Sequence, residues 1–214
     1  MRRLPVYLVI DTSGSMRGES IHSVNVGIQA MLNALRQDPY ALESVHVSII
    51  TYDNEAREFI PLTPLEDFQF SDIVVPSAGG TFTGAALECL MQCVDRDVRR
   101  SDGDTKGDWR PLVFLMTEGG PNDDWRKGLN DFKAARTGVV VACAAGHDAD
   151  TSVLKEITEI VVQLDTADSS TIKAFFKWVS ASISVGSQKV ESSKKEVIGL
   201  EDLPPPPPEV NVVL

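Results

Sequence analysis

The residues best suited to chemistry come early in the chain. VYLVIDTSGSM, Val6 to Met16, ends an apolar run in one carboxylate and then hydroxyls, with Asp11, Ser13 and Ser15 at alternate positions. Turns favour Asp, Ser and Gly, so turn and helix-cap chemistry is one reading of this composition. The alternation supports a second. In an extended turn, D-x-S-x-S projects Asp11, Ser13 and Ser15 from one side, and Gly14 permits the bend. Carboxylate and hydroxyl oxygens suit a hard divalent cation, Mg2+ or Mn2+, which takes about six oxygen ligands and often keeps water. Such a set offers few negative charges to a doubly charged ion. An open coordination position would therefore favour an acidic group from outside, a partner's Asp or Glu. Two further loops are rich in oxygen donors: GGTFTGAAL at 79–87, just before a helical pattern, and TEGGPND at 117–123, just after an apolar run.

Loops this far apart in sequence need a frame that brings them together. Apolar, β-branched runs recur at 5–10, 44–52, 56–62, 111–117, 138–145 and 159–164. Those at 5–10, 111–117 and 138–145 are nearly continuous hydrophobes, as strands are when helices cover both faces of a parallel sheet. Between the runs, apolar residues repeat at three and four. Ile21, Val24, Ile28, Met31, Leu32 and Leu35 do so within 20–37; Leu87, Leu90, Met91, Val94 and Val98 do so within 84–99. Helices are also predicted over 124–136, 150–157 and 169–184. The alternation predicts a Rossmann-like, doubly wound α/β fold, with a mostly parallel sheet and helices on both faces. The short turn DNE makes 44–52 and 56–62 a hairpin, with 56–62 as the one antiparallel edge strand. Ligands of such sheets bind at the carboxyl ends of the strands, near the point where strand order reverses. The three oxygen-rich loops are predicted to meet there.

Length and composition bound the rest. The chain has 214 residues, 43% of them hydrophobic, enough for a proper core. A net charge of −11 argues against binding to nucleic acid or an anionic membrane, which need basic surface. The run LPVYLVI is too short to span a membrane and no small-residue cleavage site follows it, so a soluble, cytoplasmic protein without membrane insertion is expected. Three cysteines, Cys89, Cys93 and Cys143, are too few for a disulfide framework and fit a reducing compartment. Residues 1–185 are read as the domain and 186–214 as a polar, proline-rich tail, with five consecutive prolines from Pro204 to Pro208 favouring an extended segment. Its last residues, VNVVL, have the character to dock on a sheet edge.

D-x-S-x-S after the first strand, T-x-T-G before a helix and [DE]-G after a later strand together resemble the von Willebrand factor A domain family, whose cation site is the metal-ion-dependent adhesion site. MRRLPVYLVIDTSGSMRGE, LRQDPYAL and KGDWRPLVFLMTEGGPNDDW resemble more closely the TerY-like proteins of bacterial tellurium-resistance clusters. By position, the resemblance implies metal ligands at Asp11, Ser13, Ser15, Thr81 and Glu118, with Thr83 opening the helix that follows. Glu118 stands where the family usually has aspartate. Being longer, it would either reach the metal directly or push the ion off position. The resemblance implies a cation-dependent protein-binding adaptor rather than an enzyme. It also implies a phospho-signalling or stress-response setting, because TerY-like genes lie beside those of a protein kinase and a protein phosphatase. Phosphorylation of Thr81 or Thr83 by such a kinase would add about −1.5 to −2 charge at the cation site.

Other features carry more than one reading. Met16, Phe82 and Trp125 flank the loops and form either an apolar rim for a partner or ordinary packing between loops. Cys89 and Cys93 share a helix face pointing away from the apolar stripe. Zinc-finger spacing is missing, so small half-buried residues are the expectation over a metal pair. His22, His46 and His147 show no shared spacing. DGDTKGDW at 102–109 begins like a calcium loop but has Val113 where the bidentate Glu belongs. In PNDDW, Asp123 or Asn122 is predicted to cap the helix that follows. Two further functions compete with the adaptor. One is a Mg-dependent phosphotransfer enzyme using Asp11. Against it, the chain has no G-x-x-x-x-G-K-[ST] loop, no G-x-S-x-G elbow and no second Asp two residues after Asp11. The other is a scaffold that acts mainly through the proline-rich tail.

Overall fold

Leu4, Val6, Leu8 and Ile10 belong to one apolar cluster and Tyr7 and Val9 to another, so a single buried strand faces two separate cores. In the computed structural model, which describes residues 2–134, 137–146, 149–192 and 202–213, that strand is β1 (Leu4–Asp11). A short 3-10 turn (Gly14–Met16), α1 (Glu19–Leu35) and α2 (Pro39–Ser44) follow, then β2 (Val45–Tyr52) and β3 (Ala56–Pro64). Next come α3 (Thr83–Asp97), β4 (Leu112–Thr117), α4 (Trp125–Ala134), β5 (Val140–Ala145), α5 (Thr151–Ile157), β6 (Ile160–Leu164), α6 (Ser169–Ser192) and β7 (Asn211–Val213).

The strands form a seven-stranded sheet in the order β3-β2-β1-β4-β5-β6-β7. β2, β1, β4, β5 and β6 are parallel neighbours, with Leu8 opposite both Ile49 and Phe114. The antiparallel edge strand expected from the hairpin is β3. Every second residue of β4 and β5 alternates between the cores, as in β1. Leu112, Phe114, Met116, Val141 and Cys143 lie under α1 and α6, while Val113, Leu115, Ala142 and Ala144 lie under α3, α4 and α5. This is the expected doubly wound α/β architecture. Among the described residues, no helix is long and apolar enough to cross a membrane.

Two elements depart from the sequence reading, and a third realises the sheet-edge docking expected of VNVVL. α2 is too short for a periodic signal; Asp38 caps it by accepting from the Tyr40 N–H at 3.0 Å, with Pro39 in the first turn. α6 continues to Ser192, so the boundary expected at 185/186 falls inside a helix. Gly186 and Ser187 open the expected tail, yet both are buried. At the far edge, Asn211, Val212 and Val213 pair antiparallel with Gln163, Val162 and Val161. The segment before β7 is also attached. Trp178 Nε1 donates to Pro204 O at 2.8 Å, Lys189 pairs with Asp202, and Val210 is buried in the core cluster to which α6 contributes. The rest of the expected tail, at 193–201, lies outside the described residues, as does His147.

Candidate cation site

β1 and β4 lie side by side, and successive strands are added outward from them in opposite directions. The crevice at their carboxyl ends is where such a sheet leaves room for a ligand. Asp11 closes β1, Thr117 closes β4, and both are buried. The Ser13 N–H donates to Asp11 Oδ1 at 2.7 Å, and Thr117 Oγ1 donates to Asp11 Oδ2 at 2.7 Å. The Ser13 hydroxyl and the Glu118 N–H also favour the charged form. Burial outweighs them all and holds the Asp11 carboxyl above its ordinary value, the hydrogen bonds only limiting the rise. A carboxylate in that condition is favoured by any nearby cation, whose field offsets the desolvation.

The hydroxyls of Ser13 and Ser15 lie 3.1 Å apart, Ser13 buried and Ser15 exposed. An octahedral ion with oxygens at about 2.1 Å sets adjacent ligands ~3.0 Å apart. The serine pair thus has the span of one octahedral edge and sits between interior and solvent. Among the described residues no three of His, Cys, Asp and Glu cluster to hold a metal, so a cation here depends on hydroxyl oxygens beside one carboxylate. That donor set fits a hard ion.

Thr81 comes from the third loop, which is stitched to all its neighbours. The Thr81 N–H donates to Asn122 Oδ1 at 2.7 Å, and the Asn122 N–H donates back to Thr81 O at 2.8 Å. Phe82 N–H donates to Asp53 O at 2.9 Å, Gly80 N–H to Asn54 Oδ1 at 2.7 Å, and Gly14 N–H to Gly79 O at 3.1 Å. The loops after β1, β2 and β4 therefore all hold the 79–82 segment. The Thr81 hydroxyl faces Gly119, lying 3.4 Å from where a Cβ there would stand.

Glu118 is placed differently from the other expected ligands. Its backbone supports Asp11, but its Oε1 accepts from Ser20 Oγ at 3.2 Å, in the first turn of α1. Gly18, at φ +89°, turns the chain into that helix and so brings Ser20 to the site. The extra methylene of glutamate is what spans to α1.

Other expectations are corrected. Met16 is fully buried under α1 and Trp125 is 6% exposed, so of the proposed rim only Phe82 is half-exposed. Met16 ends the 3-10 turn, which rotates its side chain inward; the Trp125 backbone packs on Gly84, and Arg126 covers its ring at 4.5 Å. Thr81 and Thr83 are 4% and 2% exposed, out of a kinase's reach while the loop is closed. Among the described residues, Asp123 makes no hydrogen bond to the start of α4. Its Oδ1 and Oδ2 accept from the N–H groups of Gly84 and Ala85 at 3.1 and 3.0 Å, capping α3 from across the site. Cys93 is buried in the core rather than turned away from it, because β3 covers that flank of α3; Cys89 is half-buried.

Sequence reasoning passed over Thr117, Asp53, Asn54 and the true role of Asn122 and Asp123. Asp53 is buried, accepting from Arg57 Nη2 at 2.8 Å and Thr12 Oγ1 at 3.3 Å. The signal was present in the DNE turn, which follows a parallel strand and therefore lies at the same end of the sheet.

The family model of the von Willebrand factor type A domain matches residues 6–177. No curated protein shows significant sequence similarity to the chain. Similar solved structures include proximal thread matrix protein 1 of the mussel byssus with a zinc-occupied MIDAS motif, at 16% identity and TM-score 0.66, covering 84% of this chain and 48% of that one. The pilus adhesin SpaC from Lactobacillus rhamnosus GG matches at 15% identity and TM-score 0.68, over 87% of this chain and 31% of its own. A von Willebrand factor type A protein from Catenulispora acidiphila matches at 14% identity and TM-score 0.63, over 86% of this chain and 43% of its own. The chain spans less than half of each of these structures, and at such identities the likeness is one of fold.

Proposed function

The chain belongs to the von Willebrand factor type A domain family, and from that premise we propose that it is a cation-dependent protein-binding adaptor and not an enzyme. Domains of this family commonly bind proteins through a metal-dependent site. The observation that carries the proposal is the serine pair, 3.1 Å apart beside the buried Asp11 at the strand-order reversal. Asp11, Ser13, Ser15 and Thr81 would hold Mg2+ or Mn2+. Glu118, whose Oε1 accepts from Ser20, would be the fifth ligand. When bound, the ion would offer a coordination position to a partner's carboxylate. The chain's own residues do the rest. Thr117 and the Ser13 N–H orient Asp11, and Asn122 fixes the Thr81 backbone.

Thermal unfolding with and without Mg2+ or Mn2+ tests this. At about a hundred times the dissociation constant, an ion bound only by the folded state adds ~2.7 kcal/mol, and the rise in melting temperature should vanish in Asp11→Ala. A melting temperature indifferent to both ions would sink the proposal.

The resemblance to TerY-like proteins supports a finer reading: a cytoplasmic adaptor in a bacterial tellurium-resistance or stress system, engaging a protein kinase or phosphatase encoded nearby. Phosphorylation of Thr81 or Thr83 belongs to that reading and requires the 79–83 segment to open. Mass spectrometry after incubation with that kinase checks it; phosphate found only elsewhere would remove it. The tail scaffold is disfavoured because Pro204 accepts from Trp178 of α6 and Val210 is buried in the core. For the phosphotransfer alternative, a phosphatase or ATPase activity that disappears in Asp11→Ala would revive it.

A further inference from the structure

A surface cleft of about 300 Å³ opens beside the cation turn and shares Thr12 with it, the residue between Asp11 and Ser13. One wall is β3, through Arg57 and Phe59; the other is the 72–76 segment, through Ile73, Val74 and Pro76. That second wall is clamped. Asn25 of α1 accepts from the Ile73 N–H at 2.8 Å and donates to Ile73 O at 3.0 Å. Arg17 donates to Pro76 O at 2.6 Å. Between these clamps Val74 stands 78% exposed, the most exposed large apolar side chain among the described residues. A valine held out on a clamped segment contributes little to the core and loses little freedom when covered, which favours binding.

The charges around the cleft select its occupant. Arg57 remains 54% exposed although it pairs with Asp53, and Arg17 is exposed at Pro76. Both are local cations on a chain of net charge −11. Asp72 also lines the cleft and repels a second carboxylate inside it. Within the cleft itself an apolar side chain fits; at its rim, an acidic one does.

We propose that this cleft is a second contact for the partner, taking an apolar side chain of an extended segment whose Asp or Glu engages the adjoining cation turn. Arg17 and Arg57 hold the remaining acidic charge of that segment. The proposal rests on the cation-dependent reading above. A phage-displayed random dodecapeptide library selected on the whole chain in Mg2+ and eluted with EDTA tests both. Eluted clones should carry an acidic residue with an apolar one a few positions away. As synthetic peptides they should lose about tenfold in affinity on Val74→Ser, the scale of one uncovered apolar side chain. The Mg2+-dependent rise in melting temperature of that variant checks that its cation turn is intact. Clones that bind Val74→Ser as tightly as the parent, or that show no apolar preference, overturn the cleft and leave the cation reading standing. A selection with no EDTA-eluted clones overturns both.

Discussion

Asp11 lies at the end of a strand with neighbours on both sides, and from one of them Thr117 Oγ1 donates to it at 2.7 Å. Removing that hydroxyl leaves a buried carboxylate short of a donor. Thr117→Val should therefore lower stability by about 1–3 kcal/mol in urea unfolding, and Thr117→Ser should restore most of it. Equal stability of the Val and Ser variants would mean that the bond contributes nothing. Asp168 shows the opposite behaviour at the surface. The Thr166 hydroxyl foremost, then the Thr171 N–H and Ser170 donors, hold its carboxyl well below the ordinary range. A depressed carboxyl stabilises the fold above its unfolded value, about pH 4, and that stabilisation fades as pH falls below it. The melting-temperature gap between the parent and Asp168→Ala should close on acidification below about pH 4; a gap independent of pH would contradict this cause. Asp11, Ser13 and Ser15 were legible because alternate spacing directly after a strand is a local pattern. Thr117 was not, because a threonine ending a β-branched run looks like any other strand residue until the neighbouring strand is known.

Where Gly84 of α3 meets Gly128 of α4, the helices approach so closely that no side chain fits between them. A Cβ on Gly128 would lie 2.5 Å from Gly84 O, and one on Gly84 would lie 2.7 Å from the Trp125 Cα. Both obstacles are backbone and cannot swing aside. Gly128→Ala should cost about 1–3 kcal/mol in urea unfolding and should weaken the Mg2+ response, since the start of α3 carries Thr81 and Phe82 with it. Gly103→Ala, with open space at its Cβ, is the matched control and should be neutral. A Gly128→Ala variant as stable as Gly103→Ala would show that the helices part easily. The helices themselves were readable from their three-and-four repeats, and α3 and α4 begin within two residues of where the pattern starts. Their mutual cap was not. Asp123 looks like the ordinary start of α4 in sequence, yet it bonds Gly84 and Ala85, which lie 39 and 38 residues away. Local rules assign a cap to the nearest helix, whereas the fold places a different N-terminus closer.

The whole sheet has two unlike edges, β3 and β7, and the second depends on three residues. Deleting 202–213 removes β7, uncovers the β6 ladder and takes Val210 out of the core. The deleted chain should melt at lower temperature and self-associate through the bared edge, read by size-exclusion chromatography with light scattering. A monomer of unchanged melting temperature would return the segment to the status of a loose tail. Composition marked that segment as a tail because prolines and charges dominate it, with VNVVL suited to a sheet edge; that the edge is β6 shows only once the strands are ordered. The fold as a whole was legible because six of its strands announce themselves by apolar runs. A last consequence concerns force. The DTSGS turn leaves the sheet from β1, which is bonded along its length to β2 and from Val6 to Ile10 to β4. A pull on that turn along the strand axis loads both ladders in shear, so many bonds must yield together. The same pull on β3 or β7 would load only one ladder. The turn that suits a tether is therefore rooted where this molecule resists being torn open.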